Sequence, residues 1–196
     1  IVSVPESEGG AHRVAHGGVD QVVLTGAVGT AELFAQWRSG RAGQGGPRVF
    51  AETSGKNAII VTPSADLDLA VADVVRAAFG HAGQKCSAAS LVILVGSVGT
   101  SRRFHDQLID AVTSLRVGLP DDLGTGMGPV IQVPSGKLLR ALTTLDEGES
   151  WAVAPEPVAP PTGRDEWEGR LWSPGVRAGV APGSWFHRTE CFGPVL

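Results

Sequence analysis

An α/β fold with parallel strands is predicted by three observations: β-rich apolar runs alternate with amphipathic helical runs, the order is strand, helix, strand, and glycine-rich turns separate the elements. Strands linked through a helix run parallel, because only a long crossover returns the chain to the same end of the sheet. Gln21-Val22-Val23-Leu24 reads as the first strand, and Thr25-Gly26 turns it into a helix from Ala27 to Trp37. On that helix Ala31, Leu33, Phe34 and Trp37 can share a face. Gly40 to Pro47 is a glycine-rich loop, and Arg48 to Glu52 completes the crossover as a second strand. Ala58-Ile59-Ile60-Val61 is a third strand.

Pro63-Ser64-Ala65-Asp66 reads as a helix start, with Asp66 and Asp68 in the first turn, where the helix dipole favours acids, and Leu69 to Phe79 forms the amphipathic body. That helix ends near Gly80. Leu91 to Val95 has the composition of a strand buried on both faces, and Ser101 to Leu115 is a helix with Phe104, Leu108, Ile109 and Val112 on one side. A helix is expected over Ser135 to Leu145, and Pro155 to Pro161 should be a surface loop. The last third, with Trp151, Trp167, Trp172 and Trp185 among Gly and Pro, suggests short strands in irregular loops.

With 42% apolar residues over 196 positions the chain can bury a sizeable core. Its 27 glycines exceed the usual share of about 7%, so tight turns and close backbone approaches are expected. A net charge of −4 without any Lys/Arg run argues against a nucleic-acid partner. No apolar stretch is long enough to span a membrane and no signal segment opens the chain, so a cytoplasmic location is expected. Cys86 and Cys191 are expected to be reduced thiols, and five scattered histidines show no metal-ligand spacing. The chain begins without methionine and stops on a strand-like Pro194-Val195-Leu196, so a fragment of a longer protein is expected.

Glu52, opening Glu52-Thr53-Ser54-Gly55-Lys56-Asn57, and Cys86, in Gly83-Gln84-Lys85-Cys86-Ser87, carry the most chemistry. A thiol attacks a carbonyl as thiolate, and a carboxylate that takes a proton from the thiol or from water suits it. By residue type alone, Cys86 also fits a buried structural cysteine and Glu52 a solvent-facing strand end. His81 suggests a Cys-His pair, but a helix-end histidine interacting with the dipole is the expected state.

Read with Glu190-Cys191-Phe192-Gly193-Pro194-Val195, these segments resemble, in order, the glutamate, Gly-Gln-x-Cys and Glu-x-Phe-Gly-Pro motifs of the aldehyde dehydrogenase superfamily. The wording from Ala51 to Ala58 and Ser87 after the cysteine narrow the resemblance to the glutamate-semialdehyde (1-pyrroline-5-carboxylate) dehydrogenases, including the dehydrogenase half of bifunctional proline-utilisation proteins. The resemblance implies an aldehyde dehydrogenase-like α/β fold: the end of a dinucleotide-binding domain over residues 1–51, then an incomplete catalytic domain over 52–196. It implies oxidation of L-glutamate 5-semialdehyde to L-glutamate with NAD, in proline degradation.

Within it Cys86 would form the thiohemiacetal and thioester, and Glu52 would activate the deacylating water. Glu190 would hold the nicotinamide ribose, with Phe192 beside it. Gly26 and Ala27 would offer backbone N–H groups to the pyrophosphate, although Ala27 replaces the family's serine. Ser87 would contact the substrate carboxylate; Lys56 and Asn57 receive no chemical step. The full-length protein is expected to be a homo-oligomer. The family's oxyanion asparagine, its phosphate-region lysine and its carboxylate-anchoring loop are expected outside the chain, so the isolated piece should lack turnover. Three alternatives stay open: a dehydrogenase of another aldehyde, a catalytically silent piece, and a cofactor-free thioesterase-like hydrolase.

Overall fold

The computed structural model describes residues 18–39, 47–53 and 55–196. The expected loop from Gly40 to Pro47 lies, except for Pro47, outside the described residues. The chain divides into two units, Ile1–Gly55 and Lys56–Leu196.

In the first unit, β1 (Gln21–Gly26) and β2 (Arg48–Thr53) are joined through α1 (Val28–Ser39) and pair in parallel. The register runs from Gln21 opposite Arg48 to Gly26 opposite Thr53. Alternation along β1 buries Val22 and leaves Val23 79% exposed. On α1, Phe34 is buried while Leu33 is 42% exposed, a correction to the shared apolar face. One residue is a rotation of about 100° on a helix, which here carries Leu33 off the side on which Phe34 is buried.

The second unit repeats the plan. β3 (Asn57–Val61), α2 (Leu67–Phe79) and β4 (Ala89–Leu94) form another crossover, with β3 and β4 parallel. Asp66 caps α2 from outside its first turn, its carboxylate accepting from the amides of Asp68 (3.0 Å) and Leu69 (3.1 Å). α3 (Arg102–Thr113) starts on the Ser101 cap and buries Phe104, Leu108 and Val112, spaced four apart. These meet Val74, Phe79, Met127 and Val130, with Ile59, Val61, Val92 and Leu94 packed on the same core.

The opposite face of that strand pair leaves Ile60 63% and Ile93 42% exposed. β4 is therefore covered on one face only among the described residues, not on two as its composition suggested. Composition reports what a strand can bury; α2 and α3 reach one side.

Beyond α3 lie α4 (Gly136–Thr143), the antiparallel pair β5 (Ser150–Val153) and β6 (Val176–Ala178), and the short helix α5 (Trp185–Arg188). Leu138, Ala141, Leu142, Phe186, Cys191 and Val195 form a second buried cluster here. Most of the proline-dense loop is exposed as expected, but Pro155 is buried against Gly175, where a Cβ would lie 2.8 Å from its ring.

Arg177 on β6 is the one charged residue whose whole residue is buried among those described. It pairs with Glu149 at 2.6 Å, both side chains no more than 1% exposed. Its guanidinium also donates to the carbonyls of Ala141 and Thr144 at the end of α4. A buried cation thus satisfies carbonyls that helix geometry leaves unpaired. No helix among the described residues is long and apolar enough to cross a membrane.

Candidate active site

The turn carrying Cys86 begins where α2 stops. Past Gly80 the backbone enters the left-handed region at His81 (φ 61°), Ala82 (φ 53°) and Gly83 (φ 68°). That region costs a residue with a Cβ about 1–2 kcal/mol, so surrounding contacts must hold the turn. His81 is exposed and directly follows Gly80, the residue that caps the end of α2. Its backbone does the structural work: the His81 carbonyl accepts from the Gln84 amide at 3.0 Å.

Gly83 has no room for a side chain. A Cβ there would lie 2.3 Å from the Gly193 carbonyl oxygen and 3.0 Å from that of Ala78. The cysteine turn and the Glu190–Val195 segment therefore touch backbone to backbone.

Two carboxamides complete the framework. Asn57, at the start of β3, donates to the carbonyls of Cys86 (2.7 Å) and Ala88 (3.1 Å), fixing the peptide before Ser87 and the one after Ala88. Gln84 donates to the Phe192 carbonyl at 3.0 Å and accepts from the Ile131 amide at 2.8 Å. The bonds of Asn57 and Gln84 across this turn are ones that sequence reasoning did not anticipate. Both stand inside quoted motifs, but a motif does not say which side chains bond across the fold.

Cys86 and Ser87 are exposed on this turn, while Glu190 and Phe192 are half-buried beside it in the segment that touches Gly83. Phe192 has φ 59°, another left-handed residue with a side chain. Cys191, between them, is buried; desolvation pushes its thiol pKa up, and the nearby Lys56 and Arg177 cations only partly offset this. Both cysteines are free, and Cys86 is the one open to an incoming electrophile.

In the first unit, Thr25 pairs with Glu52 and Gly26 with Thr53, so Gly26, Ala27 and the exposed Glu52 share the carboxyl end of the parallel pair. Ligands of open α/β sheets bind at such ends. The Ala27 carbonyl accepts from the amides of Thr30 (3.0 Å) and Ala31 (3.3 Å), leaving the α1 start to the residues after it, and the Cβ direction of Gly29 meets nothing within 4 Å. In the first unit, a helix start with open space beside it offers backbone N–H donors of the kind that suit an anion; in the second unit, the half-buried Glu190 carboxylate offers an acceptor of the kind that suits hydroxyl groups.

Lys56 sets a measurable feature of the same region. Its Nζ is buried without a hydrogen-bond partner, 3.9 Å from the centroid of the Phe186 ring. Burial lowers its pKa to about 8 from 10.5; Cys191 pulls it back up, Arg177 pushes it further down, and Glu190 and Glu149 raise it. Between pH 8 and 10.5 the unfolded chain holds a proton that the folded one has lost, so folding gains stability as pH rises through that window. Below about pH 8 the full penalty of burying the ammonium remains. Lys56→Met should therefore raise the melting temperature at pH 7, by a gain of about 1–3 kcal/mol. That gain should shrink as melts are repeated toward pH 10.5; an equal gain at pH 7 and pH 10.5 would rule out protonation as its source.

The chain matches the aldehyde dehydrogenase family over residues 1–196. It is 36% identical over 163 residues to a 1-pyrroline-5-carboxylate dehydrogenase of Geobacillus sp. (strain WCH70), covering 76% of this chain and 27% of that protein. Among solved structures, Proline Utilization A of Corynebacterium freiburgense superposes with a TM-score of 0.85 at 57% identity, over 98% of this chain and 18% of that one. Betaine aldehyde dehydrogenase of Staphylococcus aureus in complex with NAD+ superposes with a TM-score of 0.75 at 29% identity, over 91% and 34%. The chain thus spans about a quarter of the length of the curated relatives it matches.

Proposed function

The chain belongs to the aldehyde dehydrogenase family, and from that we propose that the protein carrying it oxidises L-glutamate 5-semialdehyde to L-glutamate with NAD, as a step of proline degradation. One observation carries the reading most directly. The exposed Cys86 stands on a turn locked against the Glu190–Val195 segment by Gln84 and by the Gly83–Gly193 approach. A relative bearing the 1-pyrroline-5-carboxylate dehydrogenase name and a Proline Utilization A structure at 57% identity support the substrate class.

In this reading the Cys86 thiolate adds to the aldehyde carbon, and the oxygen of the resulting thiohemiacetal takes a hydrogen bond from the Cys86 backbone amide. The Asn57 bonds to the Cys86 and Ala88 carbonyls fix the peptides that follow the cysteine. Bound NAD supplies the hydride acceptor, and the loss of hydride leaves a thioester on Cys86. Glu190 would hold the cofactor by its nicotinamide ribose hydroxyls, with Phe192 beside the same half, and the backbone N–H groups of Gly26 and Ala27 would serve the pyrophosphate. Glu52 takes a proton from the water that attacks the thioester, releasing the carboxylate product and the thiol. Ser87 contacts the carboxylate at the far end of the substrate.

The test is steady-state NADH formation by the protein that carries this chain. With L-glutamate 5-semialdehyde, kcat/KM should exceed that for succinic semialdehyde, betaine aldehyde and simple aliphatic aldehydes by at least about tenfold. A preference for any of these others would overturn the substrate, and ester hydrolysis without any NADH formation would overturn the dehydrogenase.

A further inference from the structure

We propose that Gln84 is a positioning residue that holds the Phe192 peptide, and with it the cofactor-side segment, in register with the nucleophile turn. This rests on the functional reading above and deepens it. Both ends of the Gln84 carboxamide are engaged: Nε2 donates to the Phe192 carbonyl at 3.0 Å and Oε1 accepts from the Ile131 amide at 2.8 Å. The amide can therefore neither rotate nor flip without losing both bonds.

The partner of the donor end is unusual. Phe192 sits at φ 59°, a conformation that a residue with a Cβ adopts only when its surroundings impose it. Next to it, Gly193 is wedged between two neighbours. A Cβ on Gly193 would lie 2.2 Å from Leu138 Cδ1, and the Gly193 carbonyl leaves no space for a Cβ on Gly83. These contacts fix Gly193, but they place no polar group on the Phe192 carbonyl. The Gln84 amide does, and so sets the direction of the Phe192 peptide plane and of the ring before it.

Gln84 is also two residues from Cys86, on the same turn. Asn57 holds the cysteine side of that turn independently, through the carbonyls of Cys86 and Ala88. The two carboxamides therefore divide the work: Asn57 shapes the nucleophile turn, and Gln84 ties it to the Glu190–Phe192 segment. Removing Gln84 should disturb cofactor binding while leaving the thiol presented much as before.

Two variants of the protein that carries this chain test the proposal. Gln84→Met keeps the length and removes both bonds; Gln84→Glu keeps an acceptor for Ile131 and removes the donor to Phe192. Both should raise the KM for NAD about tenfold, the scale of one hydrogen bond, in protein that is still folded at the assay temperature. Alkylation of Cys86 by iodoacetamide in cofactor-free Gln84→Met should stay within about threefold of wild type. An NAD KM within about twofold of wild type in either variant overturns the proposal, as does Cys86 alkylation that falls in step with NAD binding. If the wild-type protein forms no NADH from any aldehyde, the functional reading itself fails and the role of Gln84 falls with it. If the wild type is active and the variants keep its NAD KM, the role of Gln84 alone is lost.

Discussion

Replacing Cys86 by alanine should lower kcat/KM for the aldehyde by at least about 10,000-fold in the protein that carries this chain. The carbonyl carbon would have no sulfur to add to, so hydride would have to leave a free aldehyde or its hydrate. Neither species is tied to the turn that Asn57 and Gln84 hold. Serine at position 86 should do little better, because a hydroxyl is far less ionised than a thiol near neutral pH. Cys86 is exposed and makes no side-chain hydrogen bond among the described residues, so both variants should fold with an unchanged melting temperature. They should also still bind NAD, which separates loss of chemistry from loss of structure. NADH formation within tenfold of wild type would remove Cys86 from the mechanism.

The largest expected effect on stability belongs to Arg177. Arg177→Met should destabilise the second unit by about 3–5 kcal/mol, because it strands Glu149 as an unpaired buried charge. The loss extends to α4, whose Ala141 and Thr144 carbonyls lose their donor. Part of the apolar contact should survive, since the guanidinium stacks 4.4 Å from the Phe186 ring and 4.8 Å from the Trp151 ring, and methionine can occupy that slot. The double variant Arg177→Met with Glu149→Leu should recover most of the loss, because no unpaired charge remains. Denaturant unfolding of the two variants measures this. A double variant as unstable as the single one would mean that the helix-end carbonyls, not the stranded carboxylate, dominate.

How much could be read beforehand differs by element. The crossover from Gln21 to Glu52 was legible because a β-rich run, a glycine turn and a helical run each express local preferences, and the structure pairs the two strands in parallel as that order requires. The starts of α2 and α3 were legible for the same reason, whereas their caps were not: Asp66, expected inside the first turn, and Ser101, expected as a helical residue, both accept from amides of the helix they precede. Leu33 and β4 were misread in the same way. Apolar identity is not burial: Leu33 turns away from the face of Phe34, and Ile93 lies on the side of β4 that α2 and α3 do not reach. Nothing local marked Arg177 as buried, because the carboxylate it meets is 28 positions away and the helix end it caps is over 30 away.

The candidate site divides along the same line. Its motifs named Cys86, Ser87, Glu52, Glu190 and Phe192, and the strand order placed Gly26, Ala27 and Glu52 at one end of a parallel pair. Periodicity, capping and turn residues act within a few positions, so the chain by itself determined its alternation, its helix starts and the family motifs. Only the tertiary structure decided that Gln84 reaches a carbonyl 108 positions away, that Gly83 must be bare because Gly193 lies against it, and that the Lys56 ammonium is buried without a hydrogen-bond partner. Those facts depend on where distant segments meet when the core closes, and no local window of sequence carries that information.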